Sequence, residues 1–386
     1  MGYPIYVAMQ NILADLRSRL SRAWGKGLPA APQRLGAPRP AREDPRARLD
    51  LALALQGGGA HGAFTWGVLD RLLEDGSAEI AALSGASAGA INGAVLASGM
   101  QEGGAEAARA KLETLWQRLA QLARFSPLKP TPLERLVLGR HSEWTLSHLA
   151  FDLASRLYSP YQLNPFGLRP LRALLVELID FERLASADAI PLIVAATRVE
   201  TGAARLFAND ELSPDVLLAS ACLPTLSPAI ELDDGHYWDG GFSANPPLLP
   251  LVEGAFADDI LLVRTGRERE PRVPTNARAI QTRVSRLVFD GPLQRELETL
   301  AWLRRKSREI AAGGAKARFA NIRLHTIGED EVLARLANTS RLNPEWPLVE
   351  ALKAAGRDAA ERWLAEAVWP GRAANDRDLG AAELAV

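Results

Sequence analysis

The chain has 386 residues, 47% of them apolar, and a formal net charge of −1. That apolar share supports a substantial core and excludes a disordered chain. The near-neutral charge offers no case for nucleic acid as a partner. The lone cysteine, Cys222, excludes an internal disulfide and suits a reducing compartment, and no CxxC or HExxH spacing marks a metal site. No apolar stretch is long enough to span a bilayer, and no basic n-region precedes an apolar h-region, so a cytoplasmic location is expected.

Residues 1 to 50 read as an appendage. Ile5, Met9, Ile12, Leu13, Leu16, Leu20 and Trp24 recur at helical spacing beside Arg17, Arg19, Arg22 and Lys26. Two readings stand: a helix packed on the main domain, or a basic amphipathic helix making peripheral contact with an anionic membrane surface. The stretch from Pro29 to Pro45 has the Pro, Ala and Arg content of a linker.

From Leu51 the order is apolar run (Leu51–Leu55), Gly-rich turn (Gly57–Gly62), helix (Ala63 to Asp75), apolar run (Ile80–Leu83), Ser-containing turn (Gly85–Gly89) and a small-residue helix (Ala90 to Ser98). A β-α-β-α order implies a parallel sheet covered on both faces. Residues 105 to 123 read as a further helix with Leu112, Leu115, Trp116 and Leu119 on one face. Between 125 and 185 the prolines at 127, 130, 132, 160, 165 and 170 break every pattern, and Tyr158, Tyr161 and Phe166 add aromatic surface. This insertion is either a cap over a site or a helical scaffold.

The core pattern resumes with a buried strand over Ile190–Ala196, a turn at Thr201-Gly202 and a short helix over Asp215 to Ala221. Then follow Tyr237-Trp238-Asp239-Gly240-Gly241 and the apolar strand Ile260–Val263. Beyond about residue 275 helical patterns dominate. Val284, Leu287 and Val288 make one apolar face, Leu297, Leu300 and Leu303 another, and Leu348, Val349, Leu352, Trp363 and Leu364 a late helix. From Pro370 the chain reads as a loosely ordered tail.

Gly85-x-Ser87-x-Gly89 has the form of a nucleophile elbow, in which a serine on a tight strand-to-helix turn attacks a carbonyl. Helix N-terminal amides face the charge that develops, and the amide of Ala88 is a natural oxyanion donor. Gly57, Gly58, Gly59, Ala60 and Gly62 form a second turn whose N–H groups can hold the same oxyanion. The spacing Gly57-x-Gly59-x-x-Gly62 also fits a dinucleotide fingerprint. That reading requires a carboxylate at the end of the next strand, where Ser84-Gly85-Ala86-Ser87 stands instead.

A serine nucleophile needs a base. Of His61, His141, His148, His236 and His325, none lies in an obvious strand-end turn. His61 belongs to the Gly loop, where its backbone counts for more than its ring, and His236 is three residues from Asp239. Asp239, in a Gly-rich turn with Gly240 and Gly241 behind it, is the better candidate and would take the hydroxyl proton directly.

These residues, in this order, resemble the patatin-like phospholipase family, whose pattern is a G-G-G-x-[RK]-G loop, a G-x-S-x-G elbow and a later D-G-[GA]. The resemblance covers roughly residues 51 to 252 and extends to Ala219-Ser220-Ala221 with Pro224, and to Asn245-Pro246. It implies an α/β fold, a three-layer sandwich with a mainly parallel central sheet. The helical insertion would lie within 51 to 252, and a C-terminal helical extension would follow the last core strand over 253 to 369, ahead of the tail at 370 to 386. It implies a lipid acyl hydrolase with a Ser–Asp dyad, Ser87 as nucleophile and Asp239 as base, a lipid or other ester as substrate, and no metal or cofactor. The departure is His61, where the family has Arg or Lys. Two other classes remain: a nucleotide-binding oxidoreductase using the Gly57–Gly62 loop, and a membrane-surface protein of the same fold without turnover.

Overall fold

The computed structural model describes residues 49–123, 159–164, 168–267, 270, 273–312, 319–330, 332, 338–342 and 344–366. The amphipathic segment and linker, residues 124–158 of the insertion, Phe166, His141, His148 and the tail lie outside these residues.

Eight strands form one sheet in the order β5-β6-β3-β2-β1-β7-β8, with β4 also paired to β3. They are β1 (Leu49–Leu55), β2 (Ala78–Ala86), β3 (Leu192–Arg198), β4 (Ala204–Phe207), β5 (Ile230–Leu232), β6 (Gly235–Asp239), β7 (Asp259–Val263) and β8 (Arg323–Ile327). The strands β3, β2, β1, β7 and β8 run parallel. Strands β4, β5 and β6 add antiparallel pairings at one side.

Why the sheet is covered on both faces can be read along β1. Successive side chains of a strand point to opposite faces. Leu51, Leu53 and Leu55 enter one core with Leu83, Val194, Phe64, Val95 and Leu112, while Ala52 and Ala54 enter a second core with Ile193, Leu251, Ile260 and Leu300. The leucine face takes the larger helical layer. That layer holds α1 (Gly62–Asp75), α2 (Ala88–Ala123), α3 (Arg169–Leu178) and α7 (Trp346–Glu366). The second layer is built from α5 (Leu249–Gly254) and α6 (Ala277–Ala312), so the fold is a three-layer α/β sandwich. A further short helix, α4 (Pro214–Ser220), opens with the side chain of Ser213 accepting from the N–H of Val216 at 3.2 Å. Helix α2 is broken at Gly103 and Gly104, which separates the helical stretches read over 90 to 98 and 105 to 123.

The C-terminal extension holds the expected helices, α6 and α7, and shows two features beyond them. First, β8 continues the sheet beyond β7, in register from Asp259↔Arg323 to Val263↔Ile327. Its sequence, Arg-Leu-His-Thr-Ile, is half polar because the Asp259 carboxylate accepts from Arg323 Nε at 2.7 Å and pairs with His325 Nε2 at 2.8 Å. Cross-strand polar pairs of this kind replace the apolar run by which a buried strand is recognised.

Second, α7 is seated on α1, the helix that leaves the Gly loop. A Cβ on Gly356 would run into the carbonyl oxygen of Phe64, and one on Gly67 into that of Lys353. The two helices therefore approach backbone to backbone. Lys353 lies 3.9 Å above the Trp66 ring, and Arg357 bridges to Asp70 and Glu74. Among the described residues no helix is long and apolar enough to cross a membrane.

Candidate active site

Ser87 occupies the one-residue turn between β2 and α2. Its φ of 54° places an L-residue in the left-handed region, a conformation that costs of order 1–3 kcal/mol and persists only where the surroundings enforce it. Two neighbours enforce it. A Cβ on Gly85 would sit 2.6 Å from the N of Ala90, and one on Gly89 would strike the carbonyl oxygen of Leu55, so only glycines let helix and strand meet this closely. The Ser87 N–H itself donates to Ser220 Oγ at 2.9 Å, a fully buried hydroxyl at the end of α4.

Asp239 closes β6, opposite Ala196 of β3, and is completely buried. Its backbone is held at both ends: its N–H donates to the Cys222 carbonyl at 2.8 Å, and its carbonyl accepts from Thr197 Oγ1 at 2.8 Å. Gly240 and Gly241 follow in a short helical turn, where the Gly241 N–H donates to Asp239 Oδ1 at 2.8 Å. The other oxygen, Oδ2, has no hydrogen-bond partner of standard geometry among the described residues. The Ser87 side chain nevertheless interacts with this carboxylate and favours its charged form. Burial outweighs that help and the Gly241 bond, and the pKa is pushed up to about 7. Sequence position 87 and position 239 thus meet at the C-terminal ends of β2 and β6.

The same carboxylate disfavours a thiolate at Cys222. Burial first, and Asp239 second, push that thiol up to about 12, which leaves it an inert neutral group. His236 faces away from the site. It is exposed and its Nδ1 contacts Glu200 Oε1 at 2.8 Å, as expected for a residue three places from Asp239 on an alternating strand. His325 is part of the β7–β8 edge described above.

The Gly loop is held from four directions. The Gly57 N–H donates to Asn245 Oδ1 at 2.7 Å, and the Gly57 carbonyl accepts from Thr265 Oγ1 at 2.7 Å. Gln56 Oε1 accepts the N–H groups of Thr265 and Gly266 at 2.8 and 3.1 Å. Asn92 of α2 donates to the Gly62 carbonyl at 3.0 Å and accepts from Trp116 Nε1 at 3.0 Å, tying the elbow helix to the loop. The fourth contact is the segment 338–342, whose Arg341 backbone lies against Gly59.

These bonds correct the expected oxyanion set. The Gly57 N–H is consumed by Asn245, and the Gly62 N–H turns back to the carbonyls of Gly59 and Ala60. Neither can serve a substrate. The N–H groups of Gly58, Gly59, Ala60 and Ala88 have no protein partner among the described residues. Asn245 and the Arg341 backbone thus lie directly against Gly57 and Gly59.

His61 also differs from expectation, since its ring does more than accompany a loop backbone. The ring is buried and its Nε2 lies 2.8 Å from Ser340 Oγ. Burial, and then the Arg341 charge, lower its pKa to about 3, so the ring is neutral wherever the protein is folded near neutrality. It does not replace the cation that the family carries at this place.

Sequence patterns give Ser220, Asn245, Gln56, Thr265 and Ser340 no site role. Ser220 and Asn245 sit within the stretches that resemble the family, and this was the one available signal for them.

A mainly parallel α/β sheet thus carries a left-handed serine at a strand–helix turn, a buried carboxylate beside it and a neighbouring glycine loop. The family profile described as patatin-like phospholipase matches residues 53–252. The chain belongs to that family, and membership implies lipid acyl hydrolase activity. The crystal structure of VipD from Legionella pneumophila is similar over 83% of this chain and 67% of its own, with 17% identity and a TM-score of 0.40. No curated protein matches the chain.

Proposed function

We propose that the protein cleaves carboxylic ester bonds of lipids through an acyl-enzyme on Ser87, with Asp239 as the general base. The observation that carries this reading is the state of the Asp239 carboxylate. One oxygen is fixed by the Gly241 amide, the other is buried without a partner of standard geometry, and the Ser87 side chain favours the charged form of this carboxylate. A buried acceptor left open is costly, and a hydroxyl proton in transit fills it.

Asp239 Oδ2 takes the Ser87 proton as Oγ attacks the ester carbon. The carbonyl oxygen becomes an oxyanion and receives hydrogen bonds from the free amides of Gly58, Gly59, Ala60 and Ala88. Collapse expels the alcohol, which leaves with the proton from Asp239. Water then attacks the acyl-Ser87 ester, giving its proton to Asp239. The carboxylic acid departs and Ser87 regains its proton. A base with a pKa near 7 is well matched to this exchange at neutral pH.

Turnover of a short-chain p-nitrophenyl ester, together with labelling by a fluorophosphonate, tests the assignment. Wild-type protein should do both, and Ser87→Ala neither. Labelling that survives Ser87→Ala would place the nucleophile elsewhere. Failure of the folded wild type to label would favour a protein of this fold without turnover.

A further inference from the structure

Segment 338–342 brings a cation to the back of the Gly loop. The Arg341 main chain is packed on Gly59, where an added Cβ would run into its carbonyl oxygen. The Arg341 side chain reaches the turn that follows β7. A Cβ on Gly266 would lie 3.5 Å from Arg341 Nη2 and 3.2 Å from Asp290 Oδ1, so both groups sit beside the same point of the backbone. That point belongs to the loop's support. Gln56 Oε1 accepts from the Gly266 N–H at 3.1 Å, and Gln56 Nε2 donates to Asp290 Oδ1 at 3.3 Å, one residue before Gly57.

This guanidinium is held in a costly state. Its Nε is buried with no hydrogen-bond partner among the described residues. Burial opposes its charge and Asp290 supports it, and an arginine keeps its proton in a protein. A buried polar donor left unpaired lowers stability, and such groups gather where a protein uses their charge.

The His61 ring shows where the charge is felt. Arg341 is the strongest charge acting on that ring, and it opposes a second positive charge there. A field that disfavours a cation at position 61 favours an anion beside it. The amides of Gly58, Gly59 and Ala60, which the proposed mechanism turns toward the oxyanion, directly precede that ring.

We propose that Arg341 is the cation of the oxyanion loop: packed behind Gly59, its guanidinium favours the negative oxygen formed when Ser87 attacks, and so stands in for the basic residue that the family pattern carries at position 61. It acts through the loop and touches neither substrate nor reacting atoms, which makes it a positioning residue. This rests on the proposed activity, because only a loop that holds an oxyanion has a use for the charge.

Arg341→Gln, Arg341→Lys and His61→Arg/Arg341→Gln are compared with wild type on a soluble p-nitrophenyl ester, with rates expressed per folded molecule from urea titrations. Arg341→Gln should lower kcat about tenfold or more with KM within about twofold, since the charge is answered only as the oxyanion forms. Arg341→Lys keeps the charge and should keep most of the rate. The double variant returns a cation to position 61 and should recover part of the rate lost in Arg341→Gln, which a role in packing alone would not allow. An Arg341→Gln kcat within about twofold of wild type overturns the proposal. So does a double variant no faster than Arg341→Gln. Should Arg341→Gln not fold, the folded Arg341→Lys protein decides, and a kcat below about a tenth of wild type overturns the proposal. Wild type that neither turns over the ester nor labels with a fluorophosphonate sinks the active-site reading and this inference with it. Wild type that does both, beside an unaffected Arg341→Gln, sinks this inference alone.

Discussion

His61 of the Gly loop and Ser340 are joined by a 2.8 Å contact between Nε2 and Oγ across 279 residues of sequence. The His61 Nδ1 is buried without a partner of standard geometry, although the ring also interacts with the Thr265 backbone. The C-terminal part of the chain thus reaches the proposed oxyanion loop directly, beside the Arg341 backbone that lies against Gly59.

Ser340→Ala is expected to leave the buried Nε2 of the ring without its hydrogen-bond partner. Leaving a buried polar group unpaired costs about 1–3 kcal/mol, read as a lower urea midpoint with an unchanged slope. Turnover of a soluble ester should fall with the loosened loop, while fluorophosphonate labelling persists. An unchanged midpoint and unchanged turnover would show that the tie has no role.

The pH profile follows from Asp239. As the base it must be ionised, and its pKa is raised to about 7 by burial. Turnover per enzyme at low substrate should therefore rise through pH 6 to 8 as a single ionisation, with half the plateau near pH 7. Stability moves the other way. A carboxylate whose folded pKa exceeds its unfolded value of about 3.9 binds more protons when folded, so stability falls as pH rises between these two values. Asp239→Asn should abolish turnover and remove that part of the pH dependence of the urea midpoint. A flat activity profile from pH 5 to 8 would exclude Asp239 as the base.

Much of the fold is legible along the chain because its signals are local. The β1 run, the glycines around Ser87 and the turn after Asp239 each declare themselves within a few residues. What is not legible depends on partners far away. Ser220 meets the Ser87 amide across 133 residues and Asn245 meets that of Gly57 across 188, and neither has a local pattern that says so. The loss of Gly57 and Gly62 from the oxyanion set has the same origin, since spacing lists amides without saying which are already bonded. Strand β8 is hidden because its polar side chains Arg323 and His325 pair with Asp259.

Ser220→Ala separates positioning from chemistry. The hydroxyl touches the Ser87 main chain and not the reacting atoms, so it acts by holding the elbow in its left-handed conformation. Its loss should lower kcat for a soluble ester by about tenfold or more with little change in KM, while the pH midpoint set by Asp239 stays in place. Ser220→Thr, which retains the oxygen, should recover part of the rate. A shift of the pH midpoint with Ser220→Ala would instead place this hydroxyl in the proton path.

The seating of α7 on α1 makes Gly356 a test of whether the C-terminal helix belongs to the same cooperative unit as the site. A side chain there meets the Phe64 carbonyl, which is backbone and cannot rotate away. Gly356→Leu must push the two helices apart, weakening the Lys353–Trp66 contact and the Arg357 bridges to Asp70 and Glu74. Overpacking of this kind costs about 1–3 kcal/mol and more where backbone blocks relief. Helix α1 begins at Gly62, so the strain is delivered to the end of the Gly loop. The expected result is one cooperative unfolding transition at a lower midpoint, with soluble-ester turnover reduced in step. Two separate transitions, with turnover lost only in the second, would show that α7 folds apart from the hydrolase core and that its contact with α1 does not support the site.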